Sequence, residues 1–232
     1  MKERILQIEI AGVPVAIHRK RMKNIYIHVS REDGSVSISV PMHMSKGQIE
    51  AFAQSREDWI VSKSREAKER AEKTAISFVT GDKILLWGEE YPLEVEKTLV
   101  KTERMCLRGD RIHMIVHADA DMEHKQKLLE QFYRKQMKKV LPEVIAFGEQ
   151  VVGKSAREYR IKKMKTRWGT CNVTEQRVWL NLNLVRKPRE CLDYVMVHEL
   201  THLWEANHGV RFKALMSKFY PQWQEVKHCL NQ

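Results

Sequence analysis

Cysteine is scarce in this 232-residue chain, and its four copies, Cys106, Cys171, Cys191 and Cys229, stand far apart with no C-x-x-C pair. That spacing argues against a disulfide framework and against a structural zinc site built on thiolates, and leaves free thiols as the expectation. Long apolar runs are missing as well. No segment approaches the roughly 20 uninterrupted apolar residues that span a bilayer, so no membrane partner is expected. The first residues, Met1-Lys2-Glu3-Arg4-Ile5-Leu6-Gln7-Ile8-Glu9, lack the apolar core of a signal peptide, which points to a cytoplasmic protein. No internal repeat and no low-complexity linker are visible.

What is present is an ordinary globular composition, 43% apolar and 31% charged, with a net charge of +11. The charge is uneven. Residues 1–118 hold 20 Lys+Arg against 17 Asp+Glu, and residues 119–232 hold 21 against 13. The densest basic stretch is Lys154, Arg157, Arg160, Lys162, Lys163, Lys165 and Arg167. Such a surface attracts nucleic acid, nucleotides or acidic protein segments, or it is simply a solvated face with few aromatics among the charges.

Patterning predicts an α+β fold with a β-rich part, residues 1–118, and a mostly helical part, 119–232, which could form one continuous domain. Arg4–Ile10 and Val13–His18 alternate around Ala11-Gly12, and Asn24–Ser30 and Ser35–Val40 around Asp33-Gly34, which reads as a small meander. A capping box at Ser45 and Gln48 opens one long helix over about 45–73, with Ile49, Phe52, Ala53, Trp59, Ile60 and Ala67 on its apolar stripe. Two hairpins follow, around Gly88 and around Arg108-Gly109-Asp110. A helical run begins at Asp121, and Pro142 should kink or split it. Strands are expected over Arg157–Met164, bulged at Lys162-Lys163, and over Arg177–Leu184.

The most telling segment is His198-Glu199-Leu200-Thr201-His202 with His208 six residues on. Histidines four apart share one helix face, so both imidazoles can reach one metal ion, and the adjacent glutamate is placed to act as general base. A catalytic zinc keeps three protein ligands and one open position, which His198, His202 and His208 would satisfy. Water activated there has a pKa near about 7, and Glu199 could take its proton and pass it to a leaving group. The expected reaction is metal-assisted hydrolysis, with an amide as the first choice. A phosphate-bearing substrate such as a nucleoside triphosphate is the alternative, because the motif specifies metal and base and not the bond. Three imidazoles would also accept nickel, cobalt or copper. His18, His28, His113 and His228 carry no such pattern and read as ordinary histidines. The motif helix is expected from Pro188 to about Ala206, largely buried, with a second helix over Val210–Phe219.

Several segments together resemble one family: Trp87-Gly88-Glu89-Glu90-Tyr91-Pro92-Leu93; Arg167-Trp168-Gly169-Thr170-Cys171; Leu180-Asn181-Leu182-Asn183-Leu184; Asp193 to Leu203; Asn207-His208; and Phe212. They resemble the YgjP-like metallopeptidase domain, a relative of the SprT-like zinc peptidases. The resemblance implies a zincin-like catalytic unit with one zinc ion, His198, His202 and His208 as ligands, Glu199 as base, and a protein or peptide substrate. SprT-like relatives also make a nucleic-acid-associated protein a third reading. The His198–His208 spacing matches metzincins, but Glu205 stands where their glycine would be and no Met-turn is visible. The Arg167-to-Cys171 segment should lie on a sheet edge near the site. Arg167 and Trp168 then become candidate substrate contacts, with core packing as the alternative for Trp168.

Overall fold

A computed structural model describes residues 6–30, 33–99 and 102–231; Arg4 and Ile5, at the start of the first expected strand, lie outside the described residues. The architecture is mixed α+β, with three sheets and six α-helices among those residues. The chain divides into two compact units, Met1–Ala75 and Ile76–Gln232. The boundary expected near residue 118 therefore falls inside the second unit. Strand residues such as Ile112 and Met114 and helix residues such as Leu129 and Met137 share one apolar core. The switch from strand to helix at 118 marks a change of layer over that core, not a change of domain.

In the first unit, β1 (Leu6–Ile10) and β2 (Val13–Lys20) are antiparallel, joined by Ala11 and Gly12 at φ 44 and 79. Two left-handed residues make the turn whose twist suits a tight hairpin. β3 (Tyr26–Val29) and β4 (Val36–Pro41) form a second antiparallel pair. The two hairpins join through β2 and β4 in parallel, giving the order β1-β2-β4-β3 rather than a meander. Turn signals fix pairing only within each hairpin. The wider order is set by burial: Val15 and Ile17 pair with Val36 and Ile38, and all four are buried.

The expected single helix is two, α1 (Lys46–Gln54) and α2 (Glu57–Thr74). The Ser45–Gln48 capping box is present. The break comes where the Ser55 hydroxyl donates to the Phe52 carbonyl, a local bond that competes with helix continuation. Ile49, Ala53 and Ile60 are buried, but Trp59 is 46% exposed and Ser64 takes an inside position instead. The Ser64 hydroxyl donates to the Gly34 carbonyl at 2.7 Å. A Cβ on Gly34 would lie 2.6 Å from the Ser64 carbonyl oxygen, so α2 rests directly on the β3–β4 turn.

The second unit opens with β5 (Lys83–Leu86), β6 (Glu89–Thr98), β7 (Arg104–Arg108) and β8 (Arg111–His117). Their order is β5-β6-β8-β7, again antiparallel, parallel, antiparallel. The two sheets thus repeat one plan that residue-level reading does not reveal. α3 (Met122–Val152) is capped by Asp121 and runs unbroken through Pro142 to a left-handed Gly153. Proline removes one donor, here the partner of the Lys138 carbonyl. Lys138 is exposed, so that carbonyl can turn to water instead of breaking the helix.

A three-stranded sheet follows, β9 (Glu158–Lys162), β10 (Gly169–Asn172) and β11 (Arg177–Asn181), in the order β10-β11-β9. β9 pairs in unbroken register and simply ends at Lys162, so the phase flip there is a strand end and not a bulge. The expected strand to Leu184 stops at Asn181, and Leu182–Arg186 form a 3-10 turn. α4 (Arg189–Thr201), α5 (Val210–Phe219) and α6 (Trp223–Asn231) complete the unit. α3 passes close to α4 at Gly148, where a Cβ would meet the Met196 side chain at 2.6 Å.

Candidate metal centre

The H-E-x-x-H segment lies on α4, which begins with Pro188 as its N-cap and ends at Thr201, five residues before the expected end. The Thr201 hydroxyl donates back to the Val197 carbonyl at 2.7 Å. The next three amides, of His202, Leu203 and Trp204, bond three residues back instead of four. That tightened turn releases the chain early and lets it carry His208 back towards the helix. Lys154 donates to the Leu203 carbonyl, and Trp204 donates from its indole to the Val152 carbonyl, so both tie the turn to the end of α3.

His198, His202 and His208 converge: one ring nitrogen from each lies within 4.8 Å of the others. The His198 and His208 Nε2 atoms are 3.0 Å apart. Phe212, buried on α5, forms the floor, with its ring centroid 4.9, 4.8 and 4.7 Å from those of His198, His202 and His208. His202 Nδ1 lies 3.2 Å from the Glu205 carbonyl oxygen, where it can donate and leave Nε2 free as a ligand. Burial, then the neighbouring His202 and His208 and lastly Lys227, pushes the His198 pKa down to about 3. Burial likewise lowers that of His202. Neutral imidazoles with convergent nitrogens and a carbonyl fixing one tautomer are the donor set a transition-metal ion requires, so these residues fit such an ion.

Glu199 is 6% exposed. Burial pushes its carboxyl up to about 8, against the opposing charge of Arg167. Its place depends on Gly169 of β10, where a Cβ would lie 2.6 Å from Glu199 Oε1 and 2.7 Å from its Cγ. The bare backbone of the edge strand is what admits the carboxylate. Cys171, two residues on, has its thiol pushed up to about 11 by burial and by Glu199, which leaves it a poor nucleophile.

The Arg167 and Trp168 segment is held by one side chain. Asn181, at the end of β11, donates from Nδ2 to the Met164 and Arg167 carbonyls and accepts from the Met164 and Asn183 amides. The start of α4 is clamped by the β5–β6 turn. The Trp87 amide donates to the Val185 carbonyl at 2.7 Å, and Gly88, at φ 88, lies close enough to Pro188 that a Cβ would come within 3.0–3.2 Å of it. These contacts give physical roles to the Trp87-Gly88 and Leu180-Asn181 segments, which spacing alone left without one.

The three histidines and Glu199 line one cavity of about 570 Å³ together with Arg167, Trp168, Gly169, Thr170 and Cys171. Trp168 is half-buried, lines the cavity and also packs on the core. Sequence reading missed Tyr194 on α4 and Lys227, Leu230 and Asn231 on α6, which also line the cavity. The signal for α6 was the helical spacing of Trp223, Val226 and Leu230. The basic stretch is largely engaged locally. Lys154 sits 4.3 Å over the Trp204 ring, Arg160 pairs with Glu158, Lys162 lies over Trp179, and Lys163 pairs with Glu130. All four cysteines are free thiols. Among the described residues, no helix is long and apolar enough to cross a membrane.

Comparisons with solved structures give partial likenesses. The metallopeptidase zymogen abylysin of Pyrococcus abyssi is 18% identical, with 38% of this chain and 90% of that one covered at a TM-score of 0.36. The metallopeptidase zymogen jannalysin of Methanocaldococcus jannaschii is 21% identical, with 39% and 93% covered at 0.35. No curated protein matches the sequence. The family model of the YgjP-like metallopeptidase domain matches residues 23–232, all of the second unit and the first from residue 23 on, and the chain belongs to that family.

Proposed function

We propose that the chain is a zinc-dependent peptidase with a zincin-like catalytic unit, in which His198, His202 and His208 hold one ion and Glu199 is the general base. The observation that carries this reading is the convergence of three imidazole nitrogens beside a buried carboxylate in one open cavity. The ion, when bound, supplies Lewis acidity towards water and the substrate carbonyl. The chain supplies the rest. Phe212 and the Glu205 carbonyl orient the imidazoles. Glu199 accepts a proton and delivers it to the departing amine. Its raised proton affinity suits that exchange near neutral pH, and a cation held by the histidines opposes the rise, favouring the ionised base. Arg167 and Trp168 face the cavity as substrate contacts.

Elemental analysis of untagged protein beside its variants tests the assignment. One zinc per chain is expected, lost in His202→Ala and kept in Glu199→Gln, while Glu199→Gln loses cleavage of a peptide library by a factor of about 10² or more. Protein without stoichiometric metal, or full cleavage by Glu199→Gln, overturns the reading.

A further inference from the structure

Charge in the cavity is one-sided. Among the described residues, Glu199 is its one carboxylate, and two cations line it, Arg167 just before β10 and Lys227 on α6. Arg167 acts electrostatically on Glu199 and Lys227 on His198, so the pair flanks the histidine cluster from the strand side and the helix side. Neither cation has a carboxylate partner among the described residues, in contrast to the locally paired Arg160 and Lys163. Lys227 Nζ lies 5.7 Å over the Trp223 ring, a cation–π contact that holds the ammonium beside the cavity it lines and, unlike a carboxylate, leaves its charge uncancelled. Two solvent-exposed cations without an ion pair on the wall of a partly apolar cavity repel basic side chains and attract anions.

We propose that Lys227, together with Arg167, makes the cleft selective for peptides that place a carboxylate beside the scissile bond, from an acidic side chain or from the free chain terminus. The proposal rests on the peptidase reading and adds the substrate class. The ammonium of Lys227 is a specificity element: it holds the substrate's anion and takes no part in bond breaking.

Binding tests this without turnover. Zinc-loaded Glu199→Gln protein is titrated with fluorescent peptides of one apolar core, carrying flanking glutamates, flanking lysines, or neutral flanks with a free or an amidated C-terminus. Glutamate or free-terminus peptides should bind roughly three- to tenfold tighter than the neutral amidated one, and lysine peptides more weakly. The preference should shrink at high salt. Adding Lys227→Glu should reverse the order, and Lys227→Gln should flatten it. A gain with glutamates only assigns the carboxylate to a side chain; a gain with the free terminus only assigns it to the chain end. Equal affinities across the set, or an order unchanged by charge reversal at Lys227, overturn the proposal. Cleavage of the same peptides by the unmodified protein separates the two ideas. No cleavage with the binding order intact removes the peptidase reading alone, whereas cleavage with a flat order removes the selectivity alone.

Discussion

Glu199 sits against the bare backbone of Gly169, which would make that glycine a positioning residue for the proposed base. Gly169→Ala puts a methyl 2.6 Å from Glu199 Oε1, so the carboxylate must swing away. Peptide cleavage should then fall by roughly a factor of ten to a hundred while zinc content stays near one per chain. Unchanged turnover in this variant would show that the base does not need the observed position. Burial of the same carboxyl sets a pH signature in chelator-treated protein. The folded state holds its proton up to about pH 8, whereas the unfolded chain releases it near the ordinary carboxyl value of 4.5. Between those values the folded state binds more protons, so stability contributed by Glu199 falls as pH rises, by at most about 1.4 kcal/mol per pH unit. His198, lowered from 6.5 to about 3, acts in the opposite sense, adding stability as pH rises through that window. His202 acts as His198 does, and near pH 8, where unfolded histidines have shed their protons, the Glu199 effect dominates. Urea unfolding at pH 6.5 and pH 8 should show the loss in the metal-free protein and a flatter response in Glu199→Gln.

At the scale of elements, the H-E-x-x-H helix was readable and its supports were not. Histidine spacing placed α4, and the apolar run around it announced burial, because helical periodicity is written in consecutive residues. The helix end at Thr201 was not legible, since it depends on a hydroxyl returning to the Val197 carbonyl. β10 lies at the sheet edge where the family resemblance put it, but its own patterning does not mark it as a strand. Gly169-Thr170-Cys171-Asn172 is short, has no alternation, and is extended because it pairs with β11. Asn181 shows how a single side chain joins such elements. Replacing it with alanine leaves the Met164 amide and carbonyl, the Arg167 carbonyl and the Asn183 amide without this partner. We expect Asn181→Ala to cost about 2–4 kcal/mol in chemical denaturation and to weaken cleavage through the displaced Arg167-Trp168 segment. A variant as stable as the parent would show that water replaces these bonds at little cost.

For the whole molecule, the two units keep separate apolar cores, one centred on Ile17, Ile38 and Ile49 and the other on Ile112, Met137 and Met196. The sequence showed the hairpins of both but not their joining, because a parallel pair such as β2 with β4 leaves no turn signal. The composition shift near residue 118 was real, yet it separated layers that share one core. A fragment of residues 76–232 contains a complete core and all three histidines. It should therefore fold cooperatively and bind one zinc, as circular dichroism and elemental analysis would register; an unfolded fragment would show that the second core is insufficient alone. The repeated strand order has one more consequence, in the order of synthesis. Each four-stranded sheet is closed by a stretch of chain no longer than about 36 residues, Leu6–Pro41 and Lys83–His117. Both sheets are thus available to a growing chain as local, self-contained scaffolds. The residues that converge on Phe212 emerge only after both sheets are complete.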